Sequence, residues 1–362
     1  MGINSGNLPV ALDSGYTETY DSWFEATGAS AVIDVLSTGS ITLPSLTAAQ
    51  RSTWASPASV RSFYSVNELN DTDSTCHTYR TPESVYEESG YCRKKNPHYG
   101  HKRWLAKKGN PVGWFCAQSR PPQGLGMLAR RYRATGEVLP DWLLIVDDDT
   151  YFGLDLLRDA LAPYDAGKPW TWYSCLVDNG LKANTKHLPE AKDTFPFGGF
   201  GMALSRGSLE RLLLPLKCDQ GGVGGWVAAS GYEGWRGDFE SQACSRMSDG
   251  KMKERDLFKD GLALSDLIWE IASQAHFCMH SDHFTGYFTN SYLLGGDVGP
   301  SELPGGGGGT ILGGNGGGRT GACYNQVKEL EHVCKVNDLV CHQMTAEMME
   351  SVETSRKLKG RS

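Results

Sequence analysis

The chain has no apolar run approaching the roughly 20 residues that a membrane-spanning helix needs, and its opening, MGINSGNLPV, offers neither a basic n-region nor an apolar h-region. None of its 10 cysteines form a C-x-x-C pair, which argues against a zinc ribbon or a thioredoxin-type motif. Basic residues are not in excess: 35 Lys and Arg against 42 Asp and Glu leave a formal charge of -7. That balance provides no general attraction for nucleic acid or an anionic membrane face. An anionic substrate must therefore be held by something other than bulk charge. No G-X-Y period runs through the 44 glycines, which excludes a collagen helix.

What is present is the composition of a folded protein, with 40% hydrophobic and 10% aromatic residues in 362, enough for one large domain or two ordinary ones. The glycine excess is local. Residues 295–321 hold 14 glycines and residues 221–237 hold 7, and without them the remainder falls to the ordinary level. The even number of scattered cysteines suits disulfides formed in a secretory compartment, as does the single sequon Asn70-Asp71-Thr72.

Four regions follow. Residues 1–28 read as a polar tail or stem. Residues 29–294 alternate apolar runs with polar helical stretches, the rhythm of an α/β domain. Residues 295–322 are a glycine-rich linker or loop by composition, and 323–362 a C-terminal helical extension. In that last region Val327, Leu330, Cys334, Cys341 and Met344 recur at helical spacing. Within the domain, residues 60–66 (VRSFYSV) predict a strand. Residues 123–136 predict an amphipathic helix burying Leu125, Leu128, Ala129 and Tyr132 and ending at Gly136.

The most informative segment is PDWLLIV followed by Asp147-Asp148-Asp149. A short continuous apolar run predicts a central strand covered on both faces, and residues 155–162 (DLLRDALA) resume helical spacing. The acidic triplet therefore sits at the carboxyl end of a strand, the edge where open α/β sheets bind ligands. Three adjacent carboxylates repel one another unless a cation or hydrogen-bond donors compensate. In extended geometry Asp147 and Asp149 point to one side and can share an ion, and oxygen ligands favour Mg²⁺, Mn²⁺ or Ca²⁺. Such an ion would let an acidic protein hold a diphosphate.

WLLIVDDDTYF, followed by FPFGGFGMALSR, resembles glycosyltransferase family 31 in its fringe-like and core 1 galactosyltransferase-like branches. The resemblance implies the GT-A fold, a central mostly parallel sheet flanked by helices, and transfer of a hexose or N-acetylhexosamine from a UDP-sugar. It also implies Mn²⁺, inversion at the anomeric carbon and a β1,3 linkage to a glycan or glycoprotein acceptor. By that resemblance Asp147 and Asp148 serve the nucleotide side and Asp149 the metal. The turn Gly198-Gly199-Phe200-Gly201 contributes to the acceptor pocket, with Phe200 replacing the family's small third residue. Asp238, in Arg236-Gly237-Asp238-Phe239-Glu240, stands in the register of the catalytic base, with Glu240 as the alternative. His280 stands where the family places a late metal histidine, with His283 as the alternative. Arg51, in QRSTW with Trp54, matches an early Arg that faces the nucleotide. Trp226 and Trp235, just before Asp238, offer aromatic faces that stack on sugars or pack in the interior.

The family's usual setting implies the Golgi or ER lumen, with any membrane attachment through an upstream anchor outside this chain, and no nucleic-acid partner. Two other classes use clustered aspartates. A metal-dependent phosphoesterase would need further ligands for a second ion, and a non-catalytic carbohydrate-binding relative would not need Asp238.

Overall fold

The computed structural model describes residues 31–39, 43–69, 81–84, 110–168, 170–174, 176–178, 194–196, 201–213, 339–342 and 344–359. At its centre is a five-stranded sheet. In chain order its strands are β1 (Ile33–Ser37), β2 (Ser62–Ser65), β3 (Trp142–Val146), β5 (Thr171–Tyr173) and β8 (Met202–Ser205). They lie in the order β2-β1-β3-β8-β5. β1 runs parallel to both β2 and β3, whereas β8 is antiparallel to β3 and to β5. Four strands thus share one direction and β8 opposes them, so the α/β architecture and mostly parallel sheet expected from the sequence are seen with one antiparallel strand between β3 and β5. Two short ladders accompany it. One joins β4 (Tyr151–Phe152) to β9 (Val340–Cys341), and the other joins β6 (Leu176–Asp178) to β7 (Thr194–Pro196).

The alternation along β1 shows how the layers form. Ile33 and Val35 enter a core shared with Ala49 of α1 (Pro44–Ser52), Leu157 of α4 (Leu154–Leu161) and Met349 and Val352 of α6 (Ala346–Lys359). Asp34 and Leu36 face the other way, toward α3 (Pro111–Thr135), where Tyr132 and Gly124 receive them. Helices therefore cover both faces, and all five residues of β3 are buried, as its unbroken apolar run predicts. Each fully buried large side chain in that strand contributes about 1.5–3 kcal/mol of transfer free energy.

The predicted helix around Leu125 to Tyr132 is present with its four apolar residues buried and Gly136 as a left-handed C-cap at φ 65°. It begins earlier than its periodicity indicates, because the Asn110 side chain accepts from Gly113 N–H and Pro111 pre-sets the first turn. Of the C-terminal stripe, Val327, Leu330 and Cys334 lie outside the described residues, and Cys341 falls on a strand. Val340 and Cys341 pair with Phe152 and Tyr151, and the helix starts only at Ala346, capped by the Thr345 hydroxyl accepting from Met348 N–H. Available ladder partners on β4 outweigh the helical spacing of the two buried residues. Cys116 and Cys341 are both disulfide-bonded. No helix among the described residues is long and apolar enough to cross a membrane.

Candidate metal centre at the sheet edge

The sheet direction brings four connections to one edge. Thr38 follows β1, the acidic turn follows β3 and Ser174 follows β5, and the antiparallel β8 begins there after Gly201. Gly201 sits at φ 78°, and a Cβ there would lie 3.0 Å from Ile145 O and from Val146 Cγ1. The last glycine of the predicted turn is thus required by backbone geometry and by close approach to β3. Its carbonyl accepts from the Ser174 hydroxyl at 2.8 Å.

The acidic turn is fixed from beneath by Gln50, a fully buried residue of α1. Its amide donates to Asp147 O at 2.8 Å and Thr150 O at 3.0 Å, while its oxygen accepts from Ser37 Oγ at 2.7 Å. Thr38 Oγ1 donates to Asp147 Oδ1 at 2.8 Å, and Arg120 donates to Thr38 O at 3.0 Å. Trp54, from the early QRSTW segment, is buried behind the turn with its ring 5.7 Å from that of Phe152.

Asp147, Asp149 and His342 converge: one potential ligand atom from each lies within 4.8 Å of the others. His342 Nε2 is 3.1 Å from Asp149 Oδ1. Burial, followed by the neighbouring charge of Asp149, pushes the Asp147 carboxyl up to about 6, against the opposing influence of His342 and the Thr38 hydrogen bond. Burial works against a charged His342, yet the hydrogen bond and charge of Asp149, with Asp147 and Asp148 behind it, hold its pKa above the ordinary histidine value. Asp149 Oδ1 is buried, and among the described residues it is in ion-pair contact with His342. Crowded carboxylates, one buried oxygen among them, and an imidazole form a donor set that fits a divalent cation of the Mn²⁺ type.

This set differs from the one read in sequence. Asp147 and Asp149 are brought together as expected, and Asp148 lies on the same turn, its charge adding to the crowding. Among the described residues, the histidine that reaches them is His342. No local motif marks it, since it stands in a segment whose spacing suggested only a packing stripe. Thr38, Gln50 and Arg120 were likewise not singled out, being isolated polar residues without a shared motif. Arg51 pairs with Glu68 and stacks 4.8 Å over the Phe63 ring beside β2. Gly198, Gly199, Phe200, Trp226, Trp235, Asp238, Glu240, His280 and His283 lie outside the described residues.

The family model that matches this chain spans both the acidic turn and the glycine turn. Residues 101–231 are similar to the Fringe-like family. Fringe-like proteins are glycosyltransferases, which points to glycosyl transfer, with a nucleotide-sugar donor and a glycan acceptor, as the general chemistry here. The Fringe-like segment ends before Asp238 and leaves Arg51 and His342 outside it. No curated protein matches the chain.

Proposed function

We propose that this protein is a metal-dependent, inverting glycosyltransferase of the GT-A fold that moves a hexose or N-acetylhexosamine from a UDP-sugar to a hydroxyl of a glycan or glycoprotein, in β1,3 linkage. The observation that carries the reading is the Asp147, Asp149 and His342 cluster at the carboxyl edge of the sheet in a chain with a Fringe-like segment. A chain of net negative charge offers no bulk attraction for a diphosphate, and this cluster answers that need.

Asp147, Asp149 and His342 would hold a divalent cation, Mn²⁺ by the family's habit, which supplies charge neutralisation for the departing diphosphate. Thr38 and Gln50 keep the acidic turn in place through their contacts with Asp147, so the carboxylates are positioned before substrate arrives. Arg51 and Asp148 are assigned to the nucleotide side. The glycine turn at 198–201 and the aromatic faces of Trp226 and Trp235 are assigned to the acceptor.

Asp238, with Glu240 as the alternative, takes the proton from the acceptor hydroxyl as that oxygen attacks the anomeric carbon. The new C–O bond forms as the bond to the diphosphate breaks, and its electron pair leaves with UDP. The disulfide-bonded Cys116 and Cys341 favour an oxidising lumen, Golgi or ER, as the compartment.

The test is donor turnover. Purified protein with Mn²⁺ and a panel of UDP-sugars and acceptors is expected to release UDP from at least one donor, with Asp149→Ala and Asp238→Ala both inactive. Wild-type release no faster than either variant for every donor would sink the reading.

A further inference from the structure

The candidate metal centre is built from two segments that are far apart in sequence, and the contacts around it are not confined to the ligands. On the near side of His342, β9 pairs with β4, placing Cys341 opposite Tyr151 and Val340 opposite Phe152. Gly153 N–H donates to Leu339 O at 2.8 Å. On its far side, Met344 N–H donates to Asp149 O at 2.9 Å. His342 is thus tied on both flanks to the stretch that carries Asp149.

A second set of contacts anchors α6 to the same stretch. Tyr151 Oη donates to Glu353 Oε2 at 2.9 Å, and the Arg356 guanidinium lies 5.5 Å over the Tyr151 ring. A side chain at position 153 would collide with that guanidinium, so Gly153 is the residue that lets Arg356 approach. Met349 and Val352 bury the inner face of α6 in the core.

We propose that docking of residues 339–359 and occupancy of the metal centre are one linked equilibrium, with Tyr151, Glu353 and Arg356 as positioning residues that act on the metal through His342 and Asp149. The inference rests on the metal-site reading above and deepens it. Holding residues 339–359 in place costs chain entropy, because the sequence leading to them contains the 14 glycines of 295–321. A ligand supplied by the docked segment offsets part of that cost when an ion binds. By reciprocity, the ion strengthens docking by the same factor as docking strengthens ion binding.

The experiment uses the full chain and Mn²⁺ alone. Free Mn²⁺ is followed by electron paramagnetic resonance in the wild type and in Asp149→Ala, Glu353→Ala, Glu353→Gln and Tyr151→Phe. Amide hydrogen exchange over residues 339–344 is measured with and without the ion in the wild type and in His342→Ala.

Glu353→Ala, which touches no ligand, is expected to raise the Mn²⁺ dissociation constant on the order of tenfold, within the range typical of coupling between linked sites. Glu353→Gln, still an acceptor for Tyr151, should recover most of the affinity. Mn²⁺ should slow exchange at Met344 N–H in the wild type and have no effect on it in His342→Ala. Unchanged Mn²⁺ affinity in Glu353→Ala and Tyr151→Phe, or exchange that ignores Mn²⁺ in the wild type, would overturn the linkage while Asp149→Ala still abolished binding. Undiminished binding in Asp149→Ala would instead remove the metal site itself. If Glu353→Ala fails to fold, the wild-type exchange experiment decides alone.

Discussion

His342 Nε2 lies 3.1 Å from Asp149 Oδ1, with more than half of the sequence between them. A contact of that span cannot arise from local spacing. It exists because β9 is paired to β4 immediately beyond the acidic turn.

The first prediction separates the histidines. His342→Ala should lower Mn²⁺ affinity by tenfold or more, while His280→Ala and His283→Ala retain it, as measured by calorimetric titration. A loss confined to His280→Ala would return the ligand role to the residue that the family resemblance indicates.

Gln50 supports the turn without being able to reach an ion through a charged group. Gln50→Leu removes the donor to Asp147 O and Thr150 O and the acceptor of Ser37 Oγ. Leaving buried polar groups unpaired costs about 1–3 kcal/mol each, so chemical denaturation should show at least that loss. Gln50→Glu should be no better, since it places another negative charge beside the carboxylates, and Mn²⁺ should recover more stability in Gln50→Glu than in the wild type.

Asp34, at the amino end of β1 and remote from the acidic turn in that strand, is fully buried. It is held by Arg61 Nε at 2.9 Å and by Tyr132 Oη at 2.8 Å. Burial raises its pKa despite the lowering effect of both partners. The folded state therefore keeps the proton to higher pH than the unfolded chain, and this contribution is full below the ordinary carboxylate value and lost as pH rises through the folded pKa. Wild-type stability should fall relative to Asp34→Asn as pH climbs from that ordinary value, as read from urea midpoints at a series of pH values. Arg61→Ala leaves Asp34 buried without its cation and should cost roughly 3–5 kcal/mol, the penalty of breaking a buried pair.

Gly201→Ala tests the turn at the head of β8. At φ 78° a side chain is strained, and the added carbon would lie 3.0 Å from Ile145 O. The expected loss is about 1–3 kcal/mol, seen as a lower melting temperature. A variant as stable as the wild type would mean that β3 and β8 separate more easily than their register suggests.

Local sequence was sufficient where the controlling physics is local. The unbroken run at residues 142–146 predicts a doubly covered strand, since a strand buried on both faces has no polar face to display. Asp147 to Asp149 call for a cation or hydrogen-bond donors, because adjacent carboxylates repel wherever they are placed. The helix ending at Gly136 is legible because its periodicity and its C-cap are written within a few residues. By contrast, Cys341 and Met344 carry helical spacing yet fall on a strand and a connecting residue, because the exposed ladder edge of Tyr151 and Phe152 lies far away in sequence.

What the sequence alone determined is the strand, the acidic turn at its carboxyl end and the need to offset its charge there, all consequences of composition within a dozen residues. Only the tertiary structure decided that β8 opposes its neighbours, that Gln50 supports the turn and that His342 faces Asp149. Those relationships depend on which distant segments share a sheet edge, and no residue carries that information in its near neighbours.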